Sequence, residues 1–194
     1  AGMSGAGWVS HAAAELDLQA SDEGMAAANV EGSENVASLA SKLGVGRFLS
    51  ISSMAAWGGS PTDGSPAHEE SPPQLPLPTR YCATKAAGEE RVQHWAQQGL
   101  KVNTVYPSLV YGPPGKKQGA NTLLRALLLG RFPALIGPEK KTSWVFLDAL
   151  VDGIVRVMDQ APPGRGYLLA GEAWTVRELA QRVAHFAGAK PPKR

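Results

Sequence analysis

Residues 47–53 read Arg-Phe-Leu-Ser-Ile-Ser-Ser, and this stretch decides the fold class. Its apolar start predicts a β-strand, and its small and hydroxyl residues stand where the carboxyl end of a parallel strand meets a ligand. A helix is predicted before it over 22–43, with apolar residues at helical spacing and Gly44 as the stop. A second helix over 81–98 and a strand over 100–107 follow. This alternation predicts an α/β fold with a parallel sheet.

The remaining segments predict a loop and several shorter elements. Gly58–Thr79 contains six prolines, which restrict the backbone and predict a long loop, of the kind that forms lids or inserts. Thr175-Val-Arg-Glu178 is a capping box that begins a helix to Ala187. The other predicted elements are a strand over Trp8–Ala14, a helix over Asn121–Leu129, a strand over Trp144–Leu147, a helix from an N-cap at Asp148 to about Gln160, and a strand over Tyr167–Ala170.

Composition excludes several classes of function. The chain has 194 residues, 43% hydrophobic and 19% charged, with a net charge of 19 − 17 = +2. Its basic residues are scattered, so no nucleic-acid-binding stripe is predicted. Cys82 is the single cysteine, which excludes a disulfide framework or cysteine zinc site and fits a reducing, cytoplasmic setting. No apolar run reaches the about 20 residues of a membrane span.

Two further groups of polar residues predict no site. The four histidines, His11, His68, His94 and His185, lack metal-ligand spacing, so no metal site is predicted. The acidic pairs Glu69-Glu70 and Glu89-Glu90 are interpreted as solvated surface.

Tyr81-Cys-Ala-Thr-Lys85 carries the chemistry. Four residues apart on a helix, the phenol and the ammonium lie on one face. Free tyrosine has a pKa near ~10, and a neighbouring cation is expected to lower it, which would suit proton transfer. The alternative is a surface tyrosine beside a surface lysine, since the motif alone is common.

The surrounding strands favour the chemical interpretation. The strand before the motif ends at Ser53 and the strand after it ends at Pro107, so a parallel sheet brings both to one carboxyl edge. Ser53 would then hydrogen-bond a substrate oxygen while Tyr81 moves the proton. The alternative for Ser53 is simple packing at a strand end.

The chain resembles the extended short-chain dehydrogenase/reductases, a family that includes NAD-dependent epimerase/dehydratases, dihydroflavonol-reductase-like enzymes and 3β-hydroxysteroid-dehydrogenase-like proteins. The resemblance covers about Ala6 to Pro191 and depends on several segments in the family's order. Besides the Ser53 strand and the Tyr81/Lys85 pair, these are Val9-Ser-His-Ala-Ala-Ala14, Asn29-Val-Glu-Gly-Ser33, Tyr106-Pro-Ser-Leu-Val-Tyr-Gly-Pro113, Trp144-Val-Phe-Leu-Asp148 and Tyr167–Glu178.

The resemblance implies a role for each matching residue. Tyr81 is the general acid/base, Lys85 tunes it and holds the nicotinamide ribose, and Ser53 orients the reacting oxygen. The cofactor is NAD or NADP, without a choice between them. The other residues implied on the cofactor side are Ala12, Ala13, Asn29, Pro107 and Val110. Trp57, which opens the variable loop, and Tyr106 are predicted at the substrate pocket.

The resemblance also implies the organisation of the chain. Residues 1–112 correspond to the carboxyl-terminal half of a doubly wound, Rossmann-like NAD(P) domain whose first strands are missing. Residues 113–194 are mainly a substrate-binding lobe, including Tyr167–Glu178, with some remaining Rossmann elements. Both ends are expected to be cut, and the chain alone is expected to bind dinucleotide poorly. A homodimer is implied by the family analogy alone.

Three departures from the family pattern bear on function. The glycine-rich pyrophosphate segment is absent, Tyr106 stands where the family has Arg, and Phe146 stands where it has His. The last two favour an apolar or aromatic carbonyl/alcohol substrate over a charged sugar nucleotide. The predicted function is an NAD(P)-dependent oxidoreductase acting on a small molecule. The alternatives are a sugar epimerase/dehydratase and an inactive, truncated or nucleotide-sensing scaffold.

Overall fold

The computed structural model describes residues 3–113, 119–131 and 137–188. The end of the resemblance, at Pro191, lies outside these residues. The chain divides into two compact units. The first comprises Ala1–Pro107 and Ile154–Leu168, and the second comprises Ser108–Gly153 and Leu169–Arg194. The boundary expected at residue 112 therefore falls at Pro107, while the cofactor and substrate roles of the two parts stay predictions.

Seven strands and six α-helices make up the described part of the chain. The strands are β1 (Trp8–His11), β2 (Arg47–Ile51), β3 (Val102–Pro107), β4 (Leu109–Tyr111), β5 (Lys141–Phe146), β6 (Gly166–Leu169) and β7 (Ala173–Thr175). The helices are α1 (Asp22–Ala26), α2 (Gly32–Lys42), α3 (Arg80–Gln97), α4 (Ala120–Leu128), α5 (Leu147–Gln160) and α6 (Val176–Phe186).

The first unit is built on a sheet in the order β1-β2-β3-β6. β1 pairs parallel to β2, and β2 pairs parallel to β3 with Phe48 opposite Val102. All six residues of β3 are buried, as expected for a strand covered on both faces of an α/β sheet. The predicted α/β fold with a parallel Rossmann-like sheet is confirmed.

Helices cover the sheet through small and apolar side chains. The core of the first unit joins α2, α3, β2 and β3 through a cluster of buried residues, namely Ala37, Ala40, Val45, Phe48, Val92, Leu100 and Val102. α3 begins at its cap residue Thr79, whose hydroxyl accepts a hydrogen bond of 3.1 Å from the Cys82 backbone. That cap fixes where Tyr81 and Lys85 enter the helix.

The helix predicted over 22–43 is interrupted. α1 passes into a π-helical turn at Ala27–Glu31 before α2 begins. π turns of this kind often occur at functional positions. This one carries the buried Asn29.

The second unit has its own sheet in the order β4-β5-β7, with β4 parallel and β7 antiparallel to β5. α4 and α6 pack on it around Leu127, Trp144 and Leu179. The predicted capping box is confirmed, because the Thr175 and Glu178 side chains each bond the other's backbone.

Two sequence expectations in the later part of the chain need correction. α5 begins at Leu147, so Asp148 lies within its first turn instead of at the N-cap; an acidic side chain there still favours the helix dipole. β6 lies beside β3 in the first sheet, so Tyr167 and Leu168 belong to the first unit instead of grouping with the rest of residues 113–194.

Within the described residues, no helix combines the length and the apolar character that crossing a membrane requires.

Candidate active site at the carboxyl edge of the first sheet

The parallel strands of the first unit end in polar residues at one edge. β1 ends at His11, and β2 ends at Ile51 and is followed by Ser52 and Ser53. Because carboxyl ends of parallel strands meet at one edge of a sheet, these residues lie at the same edge. Tyr81 stands in the first turn of α3 and Lys85 one turn later.

Ser53 lies close enough to Tyr81 to act on the pKa of its phenol. Ser53 has extended backbone and begins a short 3₁₀ turn, Met54–Trp57, with its hydroxyl accepting a hydrogen bond of 3.2 Å from the Ala55 backbone. Burial raises the pKa of the Tyr81 phenol, and the nearby Ser53 side chain opposes part of that rise. The structure therefore brings together the two side chains that the sequence predicted at one edge.

Lys85 lies deeper beneath the same edge. Its side chain is largely buried, with 9% of the residue exposed, and its ammonium donates a hydrogen bond of 2.9 Å to the Ile51 carbonyl. Burial lowers the pKa of Lys85, and the Glu89 carboxylate acts in the opposite direction. Lys85 is thus held at the end of β2 by the sheet itself.

One electrostatic expectation is wrong for this structure. Lys85 was expected to lower the pKa of Tyr81, but the dominant effect is burial, which raises the pKa of the phenol above its ordinary value. The Ser53 side chain offsets only part of this. The physical reason is that the buried phenol has lost water, which disfavours its charged form.

Asn29 braces the segment that follows β1. Its side-chain oxygen accepts a hydrogen bond of 2.7 Å from the Glu15 backbone, and its amide donates to the Glu15 carbonyl (3.1 Å) and to Thr84 (3.0 Å). Ala12 and Ala13, just before this anchored point, are exposed. Asn29 thus ties the exposed end of β1 to α3, and its bonds satisfy a buried amide.

The other predicted site residues are distributed over both units. Pro107 is the buried last residue of β3 in the first unit, and Val110 lies on β4 in the second. Trp57 and Tyr106 pack against each other with ring centroids 4.6 Å apart, and each is 6% exposed. Their predicted contact with substrate stays a prediction.

Two residues for which the sequence predicts no functional role lie near the candidate site. His11 is buried, lies 3.1 Å from the Ser33 hydroxyl, and has its pKa lowered by burial and then by Lys85. Glu89 is half-buried and accepts hydrogen bonds from Ser52 and Tyr106. Their positions in the sequence could have predicted this location, because Glu89 follows Lys85 by one helical turn and His11 ends a strand.

Comparison with known proteins agrees with this architecture. The sequence model of the NAD dependent epimerase/dehydratase family matches residues 3–170. A dTDP-glucose 4,6-dehydratase of Streptomyces griseus is 29% identical over 96% of this chain, and sterol demethylase protein B of Methylococcus capsulatus is 28% identical over 85%. The chain spans 58% and 50% of the lengths of these two relatives.

A solved structure shows the same fold. DesIV, a dTDP-glucose 4,6-dehydratase of Streptomyces venezuelae solved with NAD and DAU bound, is 26% identical and superposes with a TM-score of 0.84. The match covers 97% of this chain and 60% of that one. Taken with the family match over most of the sequence, the chain belongs to the NAD-dependent epimerase/dehydratase family of extended short-chain dehydrogenase/reductases.

Proposed function

We propose that this chain forms the catalytic half of a nicotinamide-dependent oxidoreductase that acts on a carbonyl/alcohol pair of a small molecule. The observation that carries the proposal is the attachment of α3, which carries Tyr81 and Lys85, to the end of β2 beside Ser53. Lys85 hydrogen-bonds the Ile51 carbonyl, two residues before Ser53, and Ser53 acts on the pKa of the Tyr81 phenol. A hydroxyl beside a phenol suits one reacting oxygen, which Ser53 orients and to which Tyr81 supplies a proton.

The state of Tyr81 supports the role of proton donor. Because burial raises the pKa of its phenol, Tyr81 is protonated at neutral pH and is ready to protonate an oxygen that gains negative charge. The protonated phenol is the form that carbonyl reduction needs, so this direction of reaction is favoured. In the reverse direction the phenol must first lose its proton.

The residues around Lys85 fit a dinucleotide. An ammonium has three N–H donors, and within the described residues Lys85 uses one for the Ile51 carbonyl, so two are available for ribose hydroxyls. Ala12 and Ala13 offer small, exposed side chains at the end of β1, where a ring can approach the backbone. A bound nicotinamide would supply the hydride. Both NAD and NADP are candidates, to be compared by titration.

The substrate is proposed to be apolar or aromatic near its reacting carbon. Tyr106 and Phe146 stand where the resemblance has Arg and His, so two polar groups that would suit a charged sugar nucleotide are replaced by aromatic rings. One relative, sterol demethylase protein B, has a name that refers to a sterol. Trp57, packed on Tyr106, is proposed to shape the pocket through that ring.

Replacement of the phenol tests the proposal. Tyr81→Phe, in the full protein that carries these residues, is expected to lower turnover by about 10²- to 10⁴-fold, the usual contribution of general acid catalysis. Cofactor affinity, measured by fluorescence titration, should change little. The matched control is Tyr167→Phe, which removes the same hydroxyl from β6. Turnover that survives Tyr81→Phe would remove the basis of the proposal.

A second candidate is a sugar epimerase or dehydratase, favoured by the family match and by the Streptomyces griseus relative. The two candidates differ in the fate of the cofactor. An oxidoreductase changes the nicotinamide absorbance in proportion to product, whereas an epimerase or dehydratase regenerates its cofactor within each turnover. Measuring that absorbance together with product formation separates them.

An inactive scaffold is the third candidate. This candidate predicts that the protein binds a dinucleotide but turns over neither class of substrate. It also predicts that Tyr81→Phe changes nothing except, at most, the binding affinity. The homodimer implied by analogy is tested separately, by light scattering over a concentration series.

A further inference from the structure

Glu89 lies one helical turn after Lys85 on α3 and contacts two strand ends. Its Oε2 accepts a hydrogen bond of 2.9 Å from the Ser52 hydroxyl, and its Oε1 accepts one of 2.5 Å from the Tyr106 phenol. Ser52 and Tyr106 are both buried. The carboxylate therefore joins α3 to the residues at the ends of β2 and β3.

These bonds act on the same piece of backbone that Lys85 contacts. Lys85 donates to the Ile51 carbonyl, and Ser52 is the next residue along the chain. Two side chains of α3, one turn apart, thus hold adjacent residues at the end of β2. Ser53, the partner of Tyr81, comes directly afterwards, so its position depends on this attachment.

Glu89 makes no direct ion pair within the described part of the chain. Among the described residues, the ion pairs are Arg80 with Asp22 and Arg177 with Glu139. Tyr106 donates as a neutral group, because burial and the Glu89 charge raise the pKa of its phenol. Charged oxygen acceptors make stronger hydrogen bonds than neutral ones, which suits a carboxylate in this place.

Other titratable groups face the same region from the neighbouring elements. His11 approaches Lys85 from the end of β1, and its pKa is lowered by burial and by that ammonium. Glu69, in the loop before α3, acts on Tyr106 and accepts a hydrogen bond of 2.8 Å from the Leu168 backbone. Of these, Glu89 is the group that counteracts the effect of burial on the pKa of Lys85.

We propose that Glu89 is a positioning residue for the Tyr81/Lys85 pair: its carboxylate fixes α3 against the ends of β2 and β3 and acts on the Lys85 ammonium, one helical turn away, without a direct ion pair. The inference deepens the proposed function and depends on it for its catalytic meaning. Its test needs no substrate, so its failure is distinguishable from failure of the enzymatic proposal.

The experiment measures the titration of Lys85 directly. Protein labelled with ¹³C at the lysine Cε is followed by NMR across alkaline pH, and the Lys85 signal is assigned with Lys85→Arg. In Glu89→Gln, which has nearly the same shape without the charge, the Lys85 midpoint is expected to fall measurably, because the charge that opposes the effect of burial is removed. In the control Glu90→Gln, which removes an exposed charge from the next position, it should stay in place.

Three outcomes bear on the proposal. A fall in Glu89→Gln alone supports it. An unchanged midpoint overturns it, even if the melting temperature drops, because the drop alone would show a purely structural role. An equal fall in both variants also overturns it, since net charge would then explain the shift.

A second variant keeps the test available if Glu89→Gln does not fold. The double change Glu89→Met and Tyr106→Phe removes the carboxylate together with its phenol donor, and such paired apolar replacement of buried polar groups is often tolerated. The Lys85 midpoint is expected to fall in this protein as well. A midpoint equal to that of the unmodified protein overturns the proposal.

Discussion

The ammonium of Lys85 donates a hydrogen bond of 2.9 Å to the carbonyl of Ile51, the last residue of β2. The contact links the helix that carries Tyr81 to the strand that leads into Ser53. The pKa of the Tyr81 phenol is raised by its own burial and lowered in part by the Ser53 hydroxyl.

Removing the Ser53 hydroxyl should raise the pKa of Tyr81. The Ser53 hydroxyl favours the ionised phenol and so opposes the effect of burial on the pKa of Tyr81. In Ser53→Ala this opposing effect is lost, and Tyr81 is expected to ionise at higher pH. The measurement is the ultraviolet titration of tyrosinate, taken as the difference from the same variant carrying Tyr81→Phe. Ser53→Thr, which keeps a hydroxyl, is the control and should titrate close to the unmodified protein. A downward shift in Ser53→Ala would contradict the prediction.

Gly88→Ala should destabilise the first unit. A Cβ on Gly88 would stand 2.2 Å from the Asn29 carbonyl oxygen, a backbone atom that cannot rotate away. Overpacking of this kind costs about 1 to 3 kcal/mol in the free energy of unfolding, which denaturant titration measures. The matched control is Gly32→Ala, another helical glycine, whose Cβ would meet its nearest atom at 3.4 Å. That control should be neutral or slightly stabilising.

Asn29→Ala should destabilise the first unit by about 2 to 3 kcal/mol, since it removes three hydrogen bonds at roughly 1 kcal/mol each. Hydrogen exchange should accelerate at the Glu15 amide, which donates to Asn29. The control is Asn35→Ala, an exposed asparagine on α2. Equal effects of the two substitutions would show that the bracing at Glu15 adds nothing.

His11 should make stability depend on pH in the acidic range. Burial and Lys85 lower the pKa of His11 in the folded protein, so the unfolded chain binds more protons below the ordinary pKa of 6.5. The contribution is therefore present above about pH 6.5 and is lost as the pH falls below it. The measurement compares unfolding free energies at several pH values in the unmodified protein and in His11→Gln, which cannot titrate. Parallel curves for the two proteins would contradict the prediction.

The sequence by itself determined the order of the elements and the identity of the chemical pair. Apolar periodicity and turn residues predicted β2, α3 and β3, because local patterning specifies these elements. The spacing of Tyr81 and Lys85 placed them on one face, since helical geometry alone sets that relation.

Only the tertiary structure decided the electrostatics and the neighbours of that pair. The sequence spacing placed the Lys85 ammonium near the Tyr81 phenol. The tertiary structure showed that Lys85 hydrogen-bonds the Ile51 carbonyl and that burial is the main influence on the pKa of Tyr81. It also showed that His11 is buried and Glu89 half-buried near the site. These facts depend on atoms 22 to 37 residues apart in sequence. A pKa follows from the solvent and charges around a group in three dimensions, which no local pattern contains.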